Sequence, residues 1–158
     1  MLRKRVVKMS EKHEVYLQRC IELSKQAVAH GNHPFGAILV RDGEIVMEAE
    51  NTVNSEVDVT GHAELNLVRR AVRELGEEVV QECALYTSTE PCAMCSGAIY
   101  WSGISTVVFA CSAKRLGKIA GGSLLFPCRE VFSHGLRPVE VSGPILENVA
   151  AEVHEKFW

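Results

Sequence analysis

At 158 residues, with 47% hydrophobic and 23% charged side chains, the chain has the composition of one soluble globular domain spanning 1–158. A chain of this length buries roughly 70% of its unfolded-state surface without disulfide staples, and no apolar run approaches the roughly 18 residues of a membrane helix. A net charge of −3, with the clearest basic cluster (Arg3, Lys4, Arg5, Lys8) confined to an N-terminal stretch, 1–9, expected to fray, argues against a protein that neutralises many phosphates.

Small molecules are therefore favoured over nucleic acid as partners. The opening MLRKRVVKMS is basic but lacks the apolar core of a secretory signal, which points to a reducing cytoplasm, where six cysteines do not make a disulfide framework.

From Ser10 to His30, Leu17, Cys20, Ile21, Ser24, Ala27 and Val28 recur at helical spacing, and Gly31-Asn32 stops the run. Phe35 to Val40 reads as a buried strand. Asp42-Gly43 turns it into a second strand in which Ile45, Met47 and Ala49 alternate with charges, an antiparallel hairpin. A polar loop from Asn51 to Gly61 leads to a second helix with Leu65, Val68, Val72 and Leu75 on one face and Gly76 at its end. CALYTS and TVVFAC are apolar throughout, as central strands covered on both faces are. The helix between them supplies the crossover that parallel neighbours require. An irregular stretch around Gly117, Gly121 and Gly122 precedes a weak segment to Phe132, an edge strand near Val139 to Val141, and a closing helix from about Glu147 to Phe157. The order describes an α/β fold: a three-layer α/β/α sandwich around a five-stranded mixed sheet.

The chemistry is concentrated in two motifs. TGHAEL carries His62 and Glu64, and TEPCAMC carries Cys92 and Cys95. One imidazole and two thiolates suit tetrahedral zinc, and three protein ligands leave the fourth position for water, the pattern of a catalytic site. Pro91 is preorganised for a helix's first turn and holds Glu90 out of helical conformation, so both cysteines belong at a helix N-terminus, where the positive end of the helix favours thiolates. Glu64 is two residues from His62, which on an ideal helix points it away. Its place at the helix start relaxes that objection, and its reach lets it act as general acid and base. Two alternatives stand beside this: a redox CxxC at a strand–helix junction, and a structural zinc site closed by Cys83, Cys111 or Cys128, cysteines whose apolar surroundings otherwise mark them as core. His13, His30, His134 and His154 lack ligand spacing and read as surface or capping residues, His33 as loop packing or a pocket residue, and Lys114-Arg115 as a solvated turn.

HPFGAILVRDGEIV, GHAELNLVRRA and LYTSTEPCAMCSGAIYW resemble the cytidine deaminase superfamily, in particular its guanine deaminase branch; H-x-E with P-C-x-x-C is its zinc signature. GPILENVAAEVHEKFW resembles the C-terminal helix of tRNA adenosine deaminases. Tyr100-Trp101 stands where those enzymes carry a basic segment. The resemblance implies Zn²⁺ on His62, Cys92 and Cys95, with Glu64 shuttling protons in the hydrolytic deamination of a nucleobase or nucleoside, a purine such as guanine foremost. Cytosine and tRNA adenosine are the other substrates in view. It further implies that Asn51 hydrogen-bonds the substrate, that the peptide N–H groups of Ala63 and Cys92 orient the bound ring or the metal water, and that Phe35 and Trp101 stack on the ring. Phe157 and Trp158 would close the pocket, and the enzyme would be a homodimer.

Overall fold

The computed structural model describes residues 8–158, and residues 1–7 of the basic N-terminal stretch lie outside the described residues. The chain runs α1 (Met9–Ala29), β1 (Gly36–Arg41), β2 (Glu44–Glu50), α2 (Ala63–Leu75), α3 (Glu77–Gln81), β3 (Ala84–Thr89), α4 (Ala93–Trp101), β4 (Thr106–Cys111), α5 (Ala113–Ala120), α6 (Cys128–Ser133), β5 (Glu140–Ser142) and α7 (Glu147–Phe157). The strands form one sheet in the order β2-β1-β3-β4-β5. β1 is antiparallel to β2 and β3, whereas β3, β4 and β5 are parallel. This is the mixed five-stranded sheet expected.

Alternation along the strands builds both sides of the core. Ala37, Leu39, Leu85, Val107 and Phe109 pack with α2, α4 and α6, while Ile38, Val40, Tyr86, Val108 and Ala110 pack with α1, α5 and α7. Three layers result because each central strand offers an apolar side chain to both faces. In the β1–β2 turn Asp42 and Gly43 have φ of 51° and 79°, the two positive values that a tight hairpin turn demands. At the start of β1 a Cβ on Gly36 would lie 2.5 Å from the Cys20 carbonyl oxygen and Leu23 Cβ. Glycine is what lets this strand run directly under α1.

Two segments depart from expectation. The stretch expected to be irregular contains the helix α5, and Lys114 and Arg115 lie in its first turn, Arg115 paired with Glu155 at 3.2 Å. The Ser112 hydroxyl caps α5 by accepting the Arg115 N–H at 3.1 Å, and Gly121 ends it in the left-handed conformation, both ordinary helix signals. Gly117 obscured them. A Cβ on Gly117 would meet only Leu125 Cδ1, at 2.2 Å, the far end of an exposed side chain that can turn aside. Directly after Gly76 the chain also forms the short helix α3, which was not expected.

Candidate metal centre and cavity

The site lies at the carboxyl end of β3, in the position where open α/β sheets bind ligands. Cys92 caps α4 in an extended conformation, Cys95 is in the helix's first turn, and His62 caps α2 in the same way. His62 Nδ1 is 3.5 Å from Cys92 Sγ and 3.6 Å from Cys95 Sγ, and the three ligand atoms lie within 4.8 Å of one another. Bonds of about 2.3 Å to sulfur and 2.0 Å to nitrogen, opened to a tetrahedral angle, give an N···S edge of about 3.5 Å. The residues therefore fit zinc, and the motif pair is a zinc site. Cys83, Cys111 and Cys128 are buried free thiols and do not join the cluster among the described residues.

The hydrogen bond from Cys95, opposed by burial and helped by His62 and the Cys95 amide, draws Cys92 down to about 4, and the same bond together with burial pushes Cys95 far up. The Leu65 amide at the start of α2 favours the Cys95 thiolate. Amides from two helix ends thus converge on the sulfurs, which supplies partial positive charge where negative charge must collect.

Glu64 is 4% exposed. Because His62 is extended and Glu64 is the second residue of α2, the two side chains need not diverge as a pair inside one helix would. Burial pushes the Glu64 carboxyl up, and the Thr87 hydroxyl opposes this by donating to Oε1 at 2.7 Å. Thr87 Oγ1 also lies 3.0 Å from the Thr89 carbonyl oxygen. When Glu64 holds a proton it becomes the donor, and the Thr87 hydroxyl turns to that carbonyl; one contact serves both forms of the acid.

A cavity of about 250 Å³ opens over this centre, with His62, Glu64 and Cys92 in its floor. His33, Phe35 and Asn51 line one side, Glu90, Ala113 and Leu116 another, and Ser123 to Phe126 with Trp158 the rim. Asn51 is buried, and its Oδ1 accepts the Val53 N–H at 3.0 Å, so its amide nitrogen is the group left to donate to a ligand. Burial and the neighbouring His62 pull His33 down, which keeps a neutral ring beside Trp158 at 5.4 Å. Ala63 is fully buried at the first position of α2; its amide belongs to the turn that has no intrahelical acceptors. Trp101 is not brought to the cavity. It ends α4, 84% exposed, because nine residues of helix carry it about 13 Å from Cys92. Thr87, Glu90, Leu116 and the 123–126 segment were missed as site residues. For the first two the adjoining TSTEPC motif was a signal, and for the others nothing local was.

His154 is not at the surface as expected. It is 1% exposed, lies 5.2 Å from Phe35 between ring centroids, and bonds Thr89 Oγ1 through Nε2 at 2.7 Å. The Trp158 indole N–H donates to Nδ1 at 3.2 Å. An indole nitrogen only donates, so Nδ1 is bare and the proton sits on Nε2. Burial pulls this imidazole down to about 4 from 6.5. The unfolded chain then binds more protons between those values, so the contribution is complete above pH 6.5 and is lost as pH falls through about 4. The cost is on the order of 3 kcal/mol. Melting temperature should fall steeply over this range in the native chain and much less in His154→Gln; parallel curves would remove His154 as the cause. His30 and His134 cap α1 and α6 as expected, and His13 meets the Tyr86 hydroxyl at 2.8 Å.

Residues 10–111 match the family model described as the cytidine and deoxycytidylate deaminase zinc-binding region. The Schizosaccharomyces pombe protein named "Probable cytosine deaminase" is 42% identical over 159 aligned residues, covering 95% of this chain and 94% of its own. Guanine deaminase of Bacillus subtilis is 44% identical over 99 residues, 62% of this chain and 64% of that protein. The solved structure of guanine deaminase from Nitrosomonas europaea superposes with a TM-score of 0.81 at 24% identity, over 90% of this chain and 82% of that one, which bears on the fold alone. With a zinc-fitting His-Cys-Cys set, a buried glutamate beside it and this match across both motifs, the chain belongs to the zinc-binding cytidine and deoxycytidylate deaminase family.

Proposed function

We propose that the chain hydrolyses the amino group of a free nucleobase, guanine foremost, taking up water and releasing ammonia as the amino-bearing carbon becomes a carbonyl. The observation that carries this is the cavity. At about 250 Å³ it is smaller than the roughly 300–1,000 Å³ of sites for drug-sized ligands. Among the described residues lining it none is Lys or Arg, so nothing there would hold phosphates. Zinc, when bound, supplies the Lewis acidity that activates water. Glu64 would take one proton from the attacking water and hand it to a ring nitrogen, then take the second from the hydroxyl now on the attacked carbon and give it to the amino group, which leaves as ammonia. Phe35 stacks on the ring and Asn51 donates to its carbonyl oxygen, with Trp158 over the rim.

Full-length similarity to the Schizosaccharomyces pombe protein favours a second reading, with cytosine as the base. Both bases offer Asn51 a carbonyl acceptor, so the floor does not separate them. The test is ammonia release by the zinc-loaded chain from guanine, cytosine, adenine, their nucleosides and a tRNA anticodon stem-loop. Guanine should be turned over with kcat/KM at least 100-fold above guanosine. Release from cytosine alone replaces the first reading with the second, release confined to tRNA overturns both, and no release at all leaves a structural zinc protein. The exposed Met94 and Trp101 of α4 suit a contact with a second copy. The same preparation should sediment at twice the 17.4 kDa chain mass, and a monomer would end the homodimer reading. Cysteines held out of disulfides, two of them as metal ligands, fit work in a reducing cytoplasm. Among the described residues no helix is long and apolar enough to cross a membrane.

A further inference from the structure

Glu90 immediately precedes Pro91 and Cys92, yet it lies outside the metal cluster and takes no part in the proton transfers assigned to Glu64. Its backbone is fixed on both sides. The Glu90 N–H donates to the Cys111 carbonyl oxygen at 2.7 Å, prolonging the β3–β4 pairing, and the following proline restricts its dihedral angles. From this base the carboxylate reaches two amides that lie far apart in sequence. Oε1 accepts the Ala113 N–H at 3.1 Å and Oε2 accepts the Cys128 N–H at 2.8 Å. The Cys128 thiol faces the same carboxylate; burial, reinforced by the Glu90 charge and by hydrogen bonding to it, pushes that thiol up to about 12.

Ala113 and Cys128 begin α5 and α6, so the chain leaves and returns at one side chain. The excursion between them carries Ala113, Leu116, Ser123, Leu124, Leu125 and Phe126, which form one wall of the cavity. Its outer part has little else to hold it. Residues 121–127 are all exposed and outside regular structure, and Leu124, Leu125 and Phe126 are 76%, 43% and 41% exposed. The contact of Leu125 with Gly117 lies within the excursion itself. A segment of that kind takes its position from its ends.

We propose that Glu90 is a positioning residue that clamps both ends of this wall against the metal side of the cavity, and so sets which ring systems the site admits. The proposal rests on the deaminase reading for its consequence in catalysis, but the clamp itself is testable without activity. A carboxylate is the group required, since each oxygen accepts one N–H. In Glu90→Gln one acceptor is exchanged for an NH₂ that must face an amide N–H, and that end of the wall is released.

The experiment uses zinc-loaded full-length chains of the native protein, Glu90→Gln and Glu90→Asp, the last keeping the charge but being one carbon too short to span both amides. Amide hydrogen exchange within 113–128 should quicken at least tenfold in both variants while β1 and β3 stay protected and zinc content is unchanged. KM for the deaminated base should rise about tenfold with kcat within threefold. The preference for the base over its nucleoside should fall by a similar factor, because a loosened wall admits the sugar. Unchanged exchange in 113–128 overturns the clamp. So does quickened exchange throughout the sheet, which would make Glu90 a global stabiliser, or a Glu90→Asp chain indistinguishable from native, which would leave charge and not bridging as its role. A loss confined to kcat would move Glu90 into the chemistry and also overturn it. A native chain inert on every base defeats the proposed function, and the exchange result still decides the clamp.

Discussion

Replacing Glu64 with Gln is expected to lower kcat/KM by about 10³- to 10⁴-fold while leaving zinc bound and the fold intact. Positioned acid–base groups contribute about 10²- to 10⁴-fold each, and here one carboxylate is asked to act as base and then as acid, which places the loss toward the upper end. Glu64 lies outside the ligand cluster, so the metal has no reason to leave. Gln keeps the side chain's shape and an oxygen to accept the Thr87 hydroxyl that Glu64 accepts at 2.7 Å, so the buried contact survives. What disappears is the capacity to carry a proton. Metal analysis beside initial rates checks this, and a variant with more than a tenth of native activity would remove Glu64 from proton transfer.

Stripping the metal should have the second large effect, on stability and activity together. A cation held at a thousand times its dissociation constant adds about 4 kcal/mol to the folded state. For a chain of this size each kcal/mol moves the melting temperature by about 2–4 °C, so a strong chelator should lower it by about 8–16 °C and abolish ammonia release. Cys95→Ser should bind less than a tenth of the native zinc and show no such shift. Cys128→Ser should keep both, because Cys128 faces Glu90 and not the His62 cluster. Zinc retained in Cys95→Ser and lost in Cys128→Ser would mean that the ligand set is wrong.

The fold was legible wherever a short-range pattern carries its own physics. Apolar patterning and the Asp42-Gly43 turn act over a few residues and were recovered in place, apart from Ile45, which is exposed; Pro91 lies just ahead of α4, whose N-cap is Cys92, and not in its first turn. The metal ligands were equally legible, since His62, Cys92 and Cys95 are chemically unlike their surroundings and begin helices. Where the reading failed, the controlling contact lies far away in the chain. His154 looked like one polar residue of a terminal helix until Thr89 and Phe35 enclosed it. Trp101 shared a motif with the cysteines, yet the length of α4 carried it off to solvent.

The amino-acid order by itself thus determined the three-layer sandwich, the zinc set and the acid beside it, because hydrophobic period, turn chemistry and ligand chemistry are properties of neighbouring residues. Only the tertiary structure decided what surrounds the metal. The exposed 121–127 segment, Glu90 at its two ends and the Trp158–His154 pair at the rim come from stretches of chain with no local pattern in common. Their positions follow from the sheet order, which brings the carboxyl ends of the parallel neighbours β3 and β4, with the excursion that follows β4, to the same end of the sheet.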